Sequence, residues 1–220
     1  MKKHIFFDVG GVLCETETAI SSALSYAAEQ TGFLKPKDLS LFCGVPAADA
    51  VIDAFGVGLS DATAIISAYR EYFSKEAVYE CTLYEGVTEL LEALSAKGIR
   101  LYAISSMLHG SLLKLLEYHR LDTYFTDARG VSRDNTVSSK EDVLRLSLQK
   151  TGLMTKKSGR LGAIKREIVF VGDRWQDKLA ATLLQVGFVG TSYGYGAEHE
   201  LSDTKTANSP KELEKILLSL

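Results

Sequence analysis

Apolar positions along the chain fall into two regimes that meet near residue 82. The first run, His4-Ile5-Phe6-Phe7-Asp8-Val9, is short, aromatic and β-branched, and it stops at Gly10-Gly11. Such a run reads as a strand buried on both faces that ends in a turn. From about residue 15 to 80 the apolar residues recur at helical spacing. They fall into three groups: Ile20, Leu24 and Ala27; Val51 and Phe55; and Ile65, Ile66, Tyr69 and Phe73. Breaks at Gly32, Gly44-Val45-Pro46 and Gly58 divide this stretch, which predicts an all-helical block of about four helices.

Beyond residue 82 strands and helices alternate. Helices are predicted over about 87–97, 110–119, 139–151 and 176–186. Strands are predicted at Arg100-Leu101-Tyr102-Ala103-Ile104, near Phe125 to Ala128, at Glu167-Ile168-Val169-Phe170-Val171 and at Phe188-Val189-Gly190. This alternation implies an α/β fold: a Rossmann-like parallel sheet with right-handed crossovers. Residues 1–14 and 83–220 form the sheet core, and residues 15–82 form an inserted all-helical module. In open sheets of this kind ligands sit outside the carboxyl ends of the strands.

Composition narrows the function classes. The chain has 220 residues, a net charge of −3, 46% apolar residues and 24% charged residues. That supports a sizeable core and excludes a disordered chain. The near-neutral balance gives no electrostatic footprint for nucleic acid. No stretch reaches the ~20 apolar residues of a membrane span. Met1-Lys2-Lys3 resembles the head of a signal peptide, but Asp8 interrupts the apolar run too early. Cys14, Cys43 and Cys81 are too few and scattered for a disulfide framework or a zinc site. A cytoplasmic protein is expected, monomer or homodimer. The basic stretch Lys156 to Arg166 reads as a solvated surface loop.

The strand ends carry the chemistry. Asp8 ends the first strand, Ser105 follows the second, and Asp173 and Asp177 follow Val171-Gly172. Lys140 opens the helix between the last two. Singly, each reads as a cap, a turn former or a surface charge. Together, carboxylates on separate strand ends converge on one crevice and repel unless a cation sits among them. Hard oxygen ligands suit Mg²⁺. A lysine and a serine hydroxyl beside them suit a phosphoryl group, which an aspartate can attack covalently.

These segments resemble the four motifs of the haloacid dehalogenase superfamily, in the branch similar to phosphoglycolate phosphatases and β-phosphoglucomutases. They are Phe6-Phe7-Asp8-Val9-Gly10-Gly11-Val12-Leu13, against the family's D-x-D-G-T-L; Leu101-Tyr102-Ala103-Ile104-Ser105-Ser106; Ser138-Ser139-Lys140; and Val171-Gly172-Asp173-Arg174-Trp175-Gln176-Asp177. Tyr84-Glu85-Gly86-Val87 and Gly190-Thr191-Ser192-Tyr193-Gly194-Tyr195-Gly196 are similar as well. The resemblance implies a helical cap domain over 15–82 and hydrolysis of a small phosphorylated metabolite. Asp8, Ser105 and Lys140 would be catalytic, and Gly10, Ser105, Ser106 and Lys140 would contact substrate. Asp8, the Gly10 carbonyl, Asp173 and Asp177 would hold Mg²⁺.

One departure matters. The family's second acid of the first motif, its proton shuttle, falls where this chain has Gly10. Such a group contributes about 10²–10⁴-fold in rate. Three readings stay open. The first is a phosphatase with another proton source, or a substrate whose leaving group needs little protonation. The second is an impaired relative that binds phosphorylated ligands as a regulator. The third is C–P or C–halogen cleavage, which in the phosphonate hydrolases needs a cap lysine such as Lys35, Lys37 or Lys75. His109 is a weaker candidate for the absent acid. Trp175 reads as packing beside the site, and Arg70 as a solvated arginine between core aromatics.

Overall fold

A computed structural model describes residues 2–38, 42–43, 45, 47–155 and 161–220, without side chains at 48, 49 and 53. In chain order the elements are β1 (His4–Asp8), β2 (Cys14–Glu15), α1 (Glu17–Thr31), α2 (Ala47–Phe55), α3 (Leu59–Lys75) and β3 (Thr82–Leu83). They continue with α4 (Val87–Ala96), β4 (Arg100–Leu108), α5 (His109–Tyr118), β5 (Phe125–Val131) and α6 (Lys140–Lys150). The last are β6 (Ile168–Gly172), α7 (Trp175–Leu184), β7 (Gly187–Thr191), β8 (Thr206–Ala207) and α8 (Pro210–Leu218).

Six strands form one sheet in the order β5-β4-β1-β6-β7-β8, every neighbouring pair parallel. The continuous apolar runs have a direct cause: side chains alternate between two buried faces. Ile5 and Phe7 of β1, Leu101 and Ala103 of β4, and Val169 and Val171 of β6 point to the face covered by α4, α5 and α8. Phe6, Tyr102, Ile104, Ile168 and Phe170 point to the face covered by α6 and α7. From β1 the chain reaches β4 and β5 on one side, then returns to place β6 and β7 on the other. β1 thus lies at the point where the strand order reverses, and its carboxyl end opens into a crevice.

The helical stretch between β2 and β3 has three α-helices and a 3₁₀ turn at Ala77–Glu80 among the described residues, where the spacing predicts about four helices. α1 ends at Gly32 in the left-handed conformation (φ 74°), and no helix forms before Ala47 among the described residues. Its two connections pair with each other: β2 and β3 form an antiparallel ribbon, with Cys14 opposite Leu83 and Glu15 opposite Thr82. The sequence reading also misses β8 and α8. Yet Ser209, Pro210 and Glu212 carry a capping signal, and Ser209 Oγ accepts from Glu212 N at 3.2 Å. Residues 156–160 of the predicted basic loop lie outside the described residues; Gly162–Glu167 form a 3₁₀ turn. Among the described residues no helix is long and apolar enough to cross a membrane.

Phe6 is fully buried in β1 and stacks on Tyr102 with ring centroids 4.2 Å apart. Phe6→Ala is expected to cost about 3–5 kcal/mol. Chemical denaturation should show it as a lower midpoint; a loss below about 1 kcal/mol would mean that this face repacks freely.

Candidate active site

Acids gather at the carboxyl end of β1. Asp8 shares its parity with Phe6, so its side chain leaves the strand on the side of α6 and α7. There it meets Lys140, the first residue of α6, whose Nζ lies 2.5 Å from Asp8 Oδ2 and 2.6 Å from Asp177 Oδ1. Asp173, just past β6, completes the group. One carboxylate oxygen from each of Asp8, Asp173 and Asp177 lies within 4.8 Å of the others. Asp8 is 1% exposed, Asp173 and Asp177 0%, and Lys140 4%.

Local sequence fixes each side chain. Ser139 and Asp142 form a reciprocal cap on α6, each accepting the other's backbone N–H at 3.1 Å, which sets Lys140 in the first turn. Asp177 Oδ2 accepts from Arg174 N at 3.1 Å, so both Asp177 oxygens are engaged, one in a cap and one with Lys140. Asp173 Oδ2 accepts from Tyr195 N at 2.7 Å, and Asp8 Oδ1 from Val9 N at 2.7 Å. Asp173 Oδ1 and Asp8 Oδ2 are buried without a hydrogen-bond donor; the latter has only its ion pair with Lys140.

Three carboxylates against one ammonium leave a formal charge of about −2 in a desolvated site. Burial, then the neighbouring acids, push the Asp8 carboxyl well above its usual range against the pull of Lys140. Burial and Asp177 raise Asp173 to about 7. For Lys140 burial favours the neutral amine, but Asp177 and Asp8 outweigh it and raise its pKa. Two orphaned hard oxygens and this excess charge fit a small divalent cation such as Mg²⁺.

Two loops close on Asp173 through glycines. Gly11 has φ +79°, and a Cβ there would lie 2.1 Å from Asp173 Oδ2; one on Gly194 would lie 2.5 Å from the same oxygen. Gly10 is different. A Cβ there would meet Thr16 Oγ1 at 3.3 Å, so the place of the absent acid is faced by a threonine hydroxyl. Thr16 is 2% exposed; its N–H donates to the Tyr195 hydroxyl, which also lies 3.2 Å from Thr16 Oγ1. The sequence reading noted the Tyr195 segment but assigned neither residue a role.

A cavity of about 650 Å³, its open mouth included, lies against Asp8. Asp8, Gly10, Thr16, Ser105 and Ser106 line it together with Ile20, Phe42, Tyr69, Arg70 and Phe73 from the helical stretch. Ser105 does not end its strand as expected: β4 runs on to Leu108, and its register against β5 shifts between Ser105 and Leu108. Such an irregularity re-aims side chains beside a site, and both serines reach the cavity. Ser105 Oγ accepts from Met107 N at 3.1 Å. Lys140, Asp173 and Asp177 do not line the cavity; they lie behind Asp8.

Some lesser readings change. Arg70 is not simply solvated: it is half-buried in the cavity wall and donates to Asn135 Oδ1 at 3.3 Å. Trp175 is 49% exposed, while its N–H donates to Glu200 Oε2 at 2.9 Å. His109 lines an adjoining cavity with Lys114 and Arg133, which shares Leu108, Ser111 and Val131 with the first. Lys35 bonds Ser21 Oγ at 2.6 Å and Lys75 pairs with Glu71 at 2.8 Å. Among the described residues no lysine lines the cavity beside Asp8.

Residues 5–191 match the family model described as haloacid dehalogenase-like hydrolase, and the chain belongs to that family. It is 28% identical over 200 residues to a 5'-nucleotidase of Pseudomonas aeruginosa, covering 90% of this chain and 86% of that one. It is 28% identical over 203 residues to tyrosine-protein kinase PtkA of Mycobacterium tuberculosis, covering 92% of this chain but only 66% of that protein's length. The crystal structure of a predicted phosphatase from Clostridium acetobutylicum superposes with a TM-score of 0.89 at 26% identity, covering 100% of both chains.

In chelator, Asp8→Asn is expected to raise stability by on the order of 1 kcal/mol, because it removes surplus buried charge. Added Mg²⁺ should raise the melting temperature of the wild type and not of the variant. A metal-free variant that melts lower would show that the acids carry no surplus charge. Gly11→Ala should cost more than about 1 kcal/mol, through its positive φ and its contact with Asp173, and should weaken the Mg²⁺-induced shift.

Proposed function

We propose that this hydrolase is a Mg²⁺-dependent phosphatase for a small phosphorylated metabolite, with Asp8 as the nucleophile. The carrying observation is the surplus buried negative charge behind Asp8, with Asp8 Oδ2 and Asp173 Oδ1 lacking donors, at the floor of a cavity. Asp8, the Gly10 carbonyl, Asp173 and Asp177 are the residues that would hold the ion. When bound, it neutralises the acids and the phosphoryl oxygens and makes phosphorus more electrophilic.

The chain's own residues do the rest. Asp8 attacks phosphorus and forms an aspartyl-phosphate. Lys140 pairs with Asp8 Oδ2, favours its ionised form against the burial that opposes it, and holds the side chain in place. The Ser105 hydroxyl and the Ser106 N–H donate to the phosphoryl oxygens that lose water on binding. In this reading residues 15–82 are a cap that swings on the β2–β3 ribbon over a core made of 1–14 and 83–220, and closes to exclude water. The names of the nucleotidase and the predicted phosphatase support phosphoester hydrolysis. A cytoplasmic setting suits the buried free thiols of Cys14, Cys43 and Cys81. A second reading, a regulator that binds phosphorylated ligands with little turnover, is favoured by Gly10 alone. The cavity wall offers the third, lysine-dependent reading no support.

Hydrolysis of 4-nitrophenyl phosphate with and without Mg²⁺ tests the proposal. Turnover should require the ion and fall at least about 10³-fold in Asp8→Asn, as loss of a covalent nucleophile does. Phosphate binding without turnover would favour the regulator. A phosphate analogue should change hydrogen exchange in Cys14–Glu15 and Thr82–Leu83; unchanged protection in both would count against cap closure.

A further inference from the structure

The cavity pairs a nucleophile with no acid to serve the departing group. Among its described lining residues Asp8 is the only carboxyl, and Asp8 is the attacking group in the function proposed above. At Gly10 the nearest side chain is Thr16, which offers only an alcohol. The Tyr195 hydroxyl behind it accepts the Thr16 N–H and does not line the cavity. His109 lines an adjoining cavity that shares Leu108, Ser111 and Val131 with this one, and is not itself among this cavity's lining residues. Among the described residues of this cavity, a substrate whose leaving oxygen must be protonated as it departs therefore meets no donor of suitable strength.

The wall says which esters remain. Ile20, Phe42, Tyr69, Phe73 and Met107 give part of it an apolar surface with three aromatic rings, beside the polar lining of Thr16, Arg70 and the serines. Phe42 and Tyr69 stand 6.4 Å apart between centroids, and Tyr69 and Phe73 5.7 Å. Against those rings a planar apolar group packs better than a polyol, whose hydroxyls find no partner on aromatic faces.

Resting on the phosphatase reading, we infer that the substrates of this site are aryl phosphates, esters whose leaving group is a phenol. In the first step a bond forms between an Asp8 oxygen and phosphorus and the bond from phosphorus to the aryl oxygen breaks. The electron pair stays on that oxygen, and the phenolate leaves unprotonated, taking its proton from solvent. Water then attacks the aspartyl-phosphate; the carboxylate of Asp8 departs without needing a proton, and the water's proton passes to the phosphate released. A phenol, with a pKa of about 10, allows this. An aliphatic alcohol, about as weak an acid as water at pKa about 15.7, does not.

The test measures kcat/KM at saturating Mg²⁺ for ring-substituted phenyl phosphates, simple alkyl phosphates and acetyl phosphate. Aryl esters should exceed alkyl esters by about 10²–10⁴-fold, with rates falling steeply as leaving-group pKa rises. Phenyl phosphate should show a lower KM than acetyl phosphate, which has a good leaving group but no ring. Gly10→Asp, paired with Thr16→Ala to make room, should raise alkyl turnover more than aryl turnover. Alkyl esters as fast as aryl esters, a flat dependence on leaving-group pKa, or equal KM for phenyl and acetyl phosphate would each overturn the inference. If turnover is flat yet lost in Asp8→Asn, the phosphatase reading survives and the aryl assignment fails. No turnover of any ester overturns both. The wild-type comparison decides the matter even if the double variant does not fold.

Discussion

Three carboxylates and one ammonium, all under 5% exposed, impose the constraint around which the site is organised. Like charges brought this close and this deep oppose folding unless every spare oxygen is held. Backbone donors hold one oxygen of each acid: Val9 N serves Asp8, Arg174 N serves Asp177, and Tyr195 N serves Asp173. Lys140 bridges two acids from a helix start whose own cap fixes its position. The unfavourable cluster is tolerated because β1, β4 and β6 bury apolar side chains on both faces just beneath it.

Division of labour follows from depth. The residues that balance charge lie behind Asp8, sealed from solvent, while Gly10, Thr16, Ser105 and Ser106 line the cavity in front. Asp8 belongs to both sets. Lys140 pairs with Asp8 and is not among the cavity's lining residues. The irregular stretch of β4 does the opposite for Ser105 and Ser106, bringing backbone and hydroxyl donors forward to the open side.

Much of this was legible in the linear sequence, for identifiable reasons. Strands buried on both faces write continuous apolar runs, so β1 and β6 were read nearly to their ends and β4 through Ile104, short of Leu108, and a charged residue at such an end stands out. Strand order was not legible, because it depends on which crossovers go left or right of β1. Among the described residues the inserted stretch shows three α-helices and a 3₁₀ turn where about four helices were read, since Gly32 and Gly44-Val45-Pro46 mark breaks without saying whether a helix lies between them. β8 is two residues long and carries no period. The partnership of Thr16 with Tyr195 spans 179 positions and involves uncharged hydroxyls, which leave no trace in composition or spacing. Gly10 announced that an acid was missing; only the folded chain shows what faces the vacancy.

The short ribbon of β2 and β3 has an implication of a different kind. Because Cys14 and Leu83 are register partners, the polypeptide enters and leaves the helical stretch side by side, through one two-stranded ribbon. A change of length within that stretch therefore begins and ends at adjacent points of the chain's path. The register of β1 against β4, which sets Asp8 beside Ile104, is made outside it. Much of the cavity's apolar wall and the buried carboxylates thus lie on separate stretches of chain, joined by one pair of two-residue strands.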